Sequence, residues 1–233
     1  MPSKPRTSKR RSRGGPAQKS SGPRTFVLLA GVVVVAVVVV AVLVALNQGS
    51  DSSGPESDAV VLEKSLGAAD APVVVAEYAD FQCPYCKEFA LGPEQQLRKD
   101  YVDQGRVRLV FRHFPFIGNE STWASEASEC ANEQGRFWDY HDKLFEEQGG
   151  ENQGAFSQDN LKRFAAELGL DTQKFNECLD SGKYESQVQA AFNEARRRGV
   201  NSTPTILVNG KVIQNGSSYP VLQAAIEAAL KGQ

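Results

Sequence analysis

Residues 26–46 are 21 consecutive positions of Phe, Val, Leu, Ala and one Gly, without a charged or strongly polar side chain. At about 1.5 Å rise per residue a helix of that length crosses a hydrocarbon core of about 30 Å. The many valines do not oppose a helix there, because a segment in lipid has to satisfy every backbone amide within itself. Lys4, Arg6, Lys9, Arg10, Arg11, Arg13, Lys19 and Arg24 all precede the run. The positive-inside rule therefore keeps the N-terminus in the cytoplasm and exports everything after residue 46. A cleaved signal peptide is the competing reading, but its apolar region is usually about 7–15 residues and ends at a small-residue cleavage site. Residues 43–45 offer only a weak site of that kind, and both readings export the rest of the chain.

That division exposes a charge asymmetry hidden in the overall net charge of -2. Residues 1–46 hold eight basic residues and no acidic one, leaving 18 basic against 28 acidic downstream, a net charge near -10. An acidic exported portion is poorly suited to nucleic acid. The arm, residues 1–25, is rich in Pro, Ser and Gly and reads as a cytoplasmic topology signal rather than a nucleic-acid tail. Residues 47–59, with Asn, Gln, Gly, Ser, Asp and Pro, cannot bury apolar surface and read as a flexible linker. Residues 60–233 then suit one domain carrying an insertion.

Within that domain residues 72–78 form a continuous β-branched run, as expected of a strand buried on both faces. Residues 84–101 turn helical, interrupted at Gly92-Pro93. Residues 106–111 alternate polar and apolar, which predicts a second strand and a βαβ unit. No convincing strand follows for about ninety residues; helical patterns occupy 121–134, 136–148, 158–168, 172–181 and 184–198. Trp123, Phe137, Trp138, Phe145, Phe156, Phe164 and Phe175 supply their packing. Strand character returns at 205–208, turns at Asn209-Gly210, continues over 211–213, and a last helix is expected over 219–230. The order predicts an α/β, thioredoxin-like fold with an inserted all-helical subdomain at about 118–198, preceded by one transmembrane helix.

The chemistry centres on Cys83-Pro84-Tyr85-Cys86, where the buried strand gives way to a helix. Cys83 falls near the N-cap and Pro84 at the first helical position, where its missing N–H is not needed. The free amides and positive end of the helix would hold Cys83 as a thiolate, both attacking group and leaving group. Cys86, one turn on, would be the less accessible resolving thiol. Half of a zinc site is the alternative, but it wants a second close pair, whereas Cys130 and Cys178 are 48 residues apart. No metal is therefore expected. Glu77, six residues before Cys83 on the apolar strand, would be partly buried with a raised pKa. Asp80 competes for a role but reads as a solvated turn residue. His113 and His141, the two histidines, read as surface or packing residues. In an exported domain Cys130 and Cys178 are expected as a structural disulfide, contributing about 4 kcal/mol in the chain-entropy model; a second redox relay is the competing idea.

Two stretches, Glu77-Tyr78-Ala79-Asp80-Phe81-Gln82-Cys83-Pro84-Tyr85-Cys86 and Val200-Asn201-Ser202-Thr203-Pro204-Thr205-Ile206-Leu207-Val208-Asn209-Gly210, resemble the two signatures of the DsbA family, in particular its membrane-anchored bacterial members. The resemblance runs over residues 60–231 and includes Phe111-Arg112-His113-Phe114-Pro115 and Phe137-Trp138-Asp139-Tyr140-His141. It implies that Pro204 is cis and lies against the active cysteines, and that Thr203, Pro204, Pro84 and Tyr85 meet a bound peptide. It also implies that Glu77 assists proton transfer at Cys86. One departure stands out: the best-known members carry His where Tyr85 stands, so extreme oxidising power does not follow.

The resemblance implies an extracytoplasmic oxidoreductase that passes the Cys83–Cys86 disulfide to cysteine-containing exported proteins without a soluble cofactor. Its expected reoxidant is a membrane protein of the quinone-linked DsbB type or the vitamin-K-epoxide-reductase type. A reductase or isomerase of the same fold, and a tethered non-catalytic binding module, are the rival readings.

Overall fold

The computed structural model describes residues 63–232, a single thioredoxin-like α/β unit. The basic arm, the expected span at 26–46 and the linker at 47–59 lie outside the described residues. Among the described residues no helix is long and apolar enough to cross a membrane.

Five strands form one sheet in the order β1-β3-β2-β4-β5: β1 is Glu63–Leu66, β2 Val73–Ala79, β3 Val107–His113, β4 Thr205–Val208 and β5 Lys211–Val212. β2 lies at the centre, parallel to β3 and antiparallel to β4. Its continuous β-branched run is what a central strand requires, since both faces are covered: Val75 on one face and Tyr78 on the other are 0% and 3% exposed. The β4–β5 hairpin turns through Asn209 (φ 47°) and Gly210 (φ 77°), both left-handed, as a two-residue hairpin turn demands. Asn209 also accepts a 2.8 Å hydrogen bond on its side-chain oxygen from the Val74 amide, which ties the turn to the start of β2.

Between β2 and β3 the helical stretch is broken as expected. α1 is Pro84–Leu91, α2 is Pro93–Leu97, and a wider π-turn, Arg98–Val102, completes the crossover. The insert between β3 and β4 consists of α3 (Asn119–Asn132), α4 (Phe137–Glu147), α5 (Gln158–Glu167), α6 (Thr172–Asp180) and α7 (Glu185–Arg197); α8 (Tyr219–Lys231) ends the domain.

Two apolar clusters hold these layers together. One joins Val73, Val75, Leu97, Val107, Leu109, Ile206 and Val208 to Leu222 and Ile226 of α8. The other packs Phe137, Tyr140, Leu144, Phe145, Phe156 and Phe164 of the insert against Phe81, Phe111 and both active-site cysteines. Each large side chain so buried contributes roughly 1.5–3 kcal/mol, so the insert is continuous with the floor of the dithiol site.

Two points need correction. β1 was not foreseen; it pairs antiparallel with β3 although its own sequence has no apolar run. Asp80 is 1% exposed, not a solvated turn residue, because the chain at 116–117 and α3 close over it. Of the two readings of the histidines, packing is the one that holds: His113 and His141 are 1% and 0% exposed.

Candidate active site

Cys83 is the N-cap of α1, in extended conformation (φ -71°, ψ 121°), with Pro84 opening the helix. A tight turn brings it there, with the Cys83 amide donating to the Asp80 carbonyl at 3.0 Å. Both cysteines are free thiols, Cys83 5% and Cys86 0% exposed. The Cys83 thiol lies 3.6 Å from the Thr203 carbonyl oxygen, and the Thr203–Pro204 peptide is cis. Tyr85 is 67% exposed. It lines, with Tyr78, Thr203, Pro204, Ile206 and Val212, a cleft of about 720 Å³ beside the dithiol. The structure thus places Cys83, Cys86, Tyr85, Thr203 and Pro204 together although 117 to 121 positions separate Cys86 or Cys83 from the Thr203-Pro204 pair.

The two thiols are driven in opposite directions. The Cys83 pKa falls to about 6, first because the Cys86 thiol donates a hydrogen bond to it, then through Thr203 and the backbone amides of Cys86 and Tyr85 at the start of α1. The helix start therefore helps to hold the anion, but the neighbouring thiol does more. Cys86 is pushed well above the ordinary thiol range, chiefly by burial and by giving its proton to the hydrogen bond with Cys83. An exposed-side thiolate beside a deeply protonated partner is the arrangement that thiol–disulfide exchange requires, with one sulfur leaving easily and the other retaining its proton.

Glu77, 1% exposed, lies below the pair. Its pKa is raised well above the carboxylate range, by burial first and then by the charge of Glu94. Glu77 in turn helps to raise Cys86. Glu77, Glu94 and His141 each offer one ligand-type atom, all within 4.8 Å of one another. This cluster has metal-like spacing, which the expectation of no metal did not anticipate; Arg98, bonded to Glu94 at 2.8 Å, already brings positive charge to it.

Several residues hold the site, and of these only Asp80 is singled out by the sequence. Gln148, at the end of α4, donates to the Phe81 carbonyl at 2.6 Å and the Cys83 carbonyl at 3.1 Å. Lys87 donates to the carbonyls of Glu146 and Gln148, locking α1 to α4. Asp80 accepts from the amides of Gln82, Phe116 and Ile117 and from the Ser121 hydroxyl. Each contact joins segments 36 to 67 residues apart, apart from the local bond to Gln82, and only the fold reveals them. Cys130 of α3 and Cys178 of α6 form a disulfide, remote in sequence from both signatures.

Comparison with known proteins agrees with this geometry. A family model described as Thioredoxin matches residues 61–228. Disulfide bond formation protein D of Bacillus subtilis is 35% identical over 190 residues, which cover 80% of this chain and 85% of that protein. The crystal structure of oxidised BdbD from Bacillus subtilis superposes with a TM-score of 0.68 at 35% identity, covering 72% of this chain and 92% of that one. A thioredoxin-like oxidoreductase from Silicibacter pomeroyi gives a TM-score of 0.61 at 29% identity, again over 72% of this chain and 92% of the other. Matched over most of its length in both sequence and fold, the chain belongs to the DsbA family of thioredoxin-fold thiol:disulfide oxidoreductases.

Proposed function

We propose that the protein is an extracytoplasmic dithiol oxidase, tethered by a helix at residues 26–46, which introduces disulfides into exported proteins. The observation that carries this reading is the split between the two thiols, Cys83 near pKa 6 and Cys86 far above the ordinary range. A substrate thiolate attacks Cys83 Sγ of the disulfide form; the new S–S bond forms as the Cys83–Cys86 bond breaks, and the electron pair stays on Cys86. Cys86, buried and reluctant to remain an anion, takes a proton from Glu77. The second substrate thiolate then attacks the substrate sulfur of the mixed disulfide and releases Cys83, which leaves as a stable thiolate.

Thr203, Pro204 and Tyr85 present backbone carbonyl and aromatic surface along the cleft, where an extended peptide of the substrate would lie. The reduced pair returns its electrons to a membrane reoxidant of the DsbB or vitamin-K-epoxide-reductase type. A shared membrane plane would raise the encounter rate of the two. The reading is tested with purified protein and a reduced two-cysteine peptide. Wild type should form the peptide disulfide, Cys83→Ser should not, and Cys86→Ser should accumulate the mixed disulfide at Cys83. Peptide oxidation unchanged by Cys83→Ser would sink it, as would labelling that finds Cys83 on the cytoplasmic side.

A further inference from the structure

Beneath the dithiol the exchange steps use only Glu77, yet Glu77 is one of three side chains directed at a common point. Glu94 of α2 and His141 of α4 are each 0% exposed. Both Glu77 carboxyl oxygens, Glu94 Oε2 and His141 Nε2 are buried there without a hydrogen-bond partner. Glu77 and Glu94 can satisfy each other only by sharing a proton between their carboxyl groups, and such a buried polar set asks for an explanation.

The cluster also has an outward path. His141 Nε2 is 3.9 Å from Glu94 Oε2, and the opposite ring nitrogen, Nδ1, is 2.8 Å from Asp142 Oδ1. The Asp142 side chain is 31% exposed. Arg98 bridges the two carboxylates, Nε to Glu94 Oε1 at 2.8 Å and its terminal nitrogens to both Asp142 oxygens at 2.8 Å. Around Glu77 the charged and titratable groups are thus Cys83 and Cys86 of α1, Glu94 of α2, Arg98 beyond it, and His141 of α4, with Asp142 at the rim.

We propose that Glu94, His141 and Asp142 form a proton relay connecting Glu77, and through it Cys86, with solvent. The proposal rests on the reading of Glu77 as the proton donor to Cys86. When the enzyme disulfide opens, the Cys86 thiolate takes the Glu77 proton. The Glu77 carboxylate is refilled by way of Glu94 from His141 Nε2, and His141 takes up a proton from solvent at Nδ1 beside Asp142. On reoxidation the Cys86 proton leaves along the same path in reverse, so protons balance over the cycle. An imidazole suits this position because it gains a proton at one nitrogen while it loses one at the other. Arg98 keeps its proton throughout and serves to position the two carboxylates.

The test uses the full chain and follows reduction of the disulfide form by dithiothreitol, and reoxidation, by rapid-mixing fluorescence across the neutral pH range. His141→Phe keeps the ring contacts with Phe81, Phe111 and Phe145 but carries no proton. Asp142→Asn removes the charge at the solvent end and loosens the Arg98 bridge to Glu94. Each should slow both directions by the same factor, about tenfold or more, with the redox equilibrium against glutathione unmoved, because a relay alters rates and not end states. A packing or charge role would move that equilibrium instead, and such a result overturns the relay. Wild-type rates in both variants, with Glu77→Gln slow, sink the relay and leave Glu77 standing; wild-type rates in Glu77→Gln sink the reading beneath it. Should His141→Phe fail to fold, Asp142→Asn decides alone. Stoichiometric zinc in purified wild type, lost on Glu94→Gln, would give the cluster to a metal and overturn the proposal.

Discussion

The Cys83 sulfur sits 3.6 Å from the Thr203 carbonyl, so the loop that would receive a substrate backbone also touches the reactive atom. The Thr203 hydroxyl is buried without a hydrogen-bond partner and, set beside Cys83, helps to draw its pKa down. Removing that hydroxyl while keeping the shape, as Thr203→Val does, should raise the Cys83 midpoint by about one pH unit, equivalent to ~1.4 kcal/mol of thiolate preference. Titration of thiolate absorbance in the reduced protein measures it. The variant should also be a weaker oxidant against glutathione, since a less stable thiolate favours the disulfide form. An unmoved midpoint would leave Cys86 and the helix amides as the whole cause.

The same thiolate makes stability depend on pH in one redox state only. The reduced folded protein releases the Cys83 proton at about 6, against 9.0 for an ordinary thiol. A depressed pKa stabilises the folded state fully above the unfolded value and loses that contribution as pH falls through the folded one. Reduced protein should therefore gain stability over oxidised protein from pH 6 toward 9, by about 1 kcal/mol already at pH 7. Cys86 holds its proton through that window and opposes the trend only as pH nears 9, where the unfolded thiol begins to ionise. Thermal melts of both redox states over the pH series would show a widening gap. A gap that stays constant would mean that Cys83 is not an anion in the reduced fold.

What the sequence disclosed depended on how local the signal was. The β2 run, the Pro84 helix start, the Gly92-Pro93 break and the Asn209-Gly210 turn are each written within a few residues, and the observed elements fall within two or three positions of the expected ones. β1 is made by its pairing with β3; Glu63-Lys64-Ser65-Leu66 has neither alternation nor β-branched residues to announce it. Glu94 looks like a solvated helix residue until α4 lays His141 over it, and Gln148 like an ordinary helix end until it reaches the Phe81 carbonyl. Polar groups that act across the fold carry no periodicity, which is why the site's thiols were legible and the groups that buttress them were not.

Asp80 shows the energetic side of that lesson. Its two buried oxygens accept four hydrogen bonds, from the Gln82, Phe116 and Ile117 amides and the Ser121 hydroxyl, at 2.6–3.0 Å. Asp80→Asn would turn an NH2 group toward donors and leave at least one of them unmatched in the interior. The expected cost is about 2–3 kcal/mol, the range for losing hydrogen bonds to a charged buried group. A urea denaturation midpoint lowered accordingly, at unchanged slope, would confirm it. Asp80→Asn with wild-type stability would mean that the carboxyl is protonated in the fold, as its burial, which raises its pKa, would favour.

The second cysteine pair makes an independent demand. Cys130 and Cys178 close a loop 48 residues long between α3 and α6, and both are nearly buried among the aromatic residues of the insert. In the chain-entropy account such a loop restricts the unfolded chain by about 4 kcal/mol, while a cross-link in the folded state adds little of its own. A Cys130→Ala, Cys178→Ala double variant should therefore unfold at much lower denaturant yet oxidise the two-cysteine peptide at the wild-type rate under conditions where it is folded. The two readouts separate the possibilities cleanly. A structural bond moves stability and spares the rate, whereas a second redox relay would spare stability and slow turnover, most visibly when the membrane reoxidant supplies the electrons' exit.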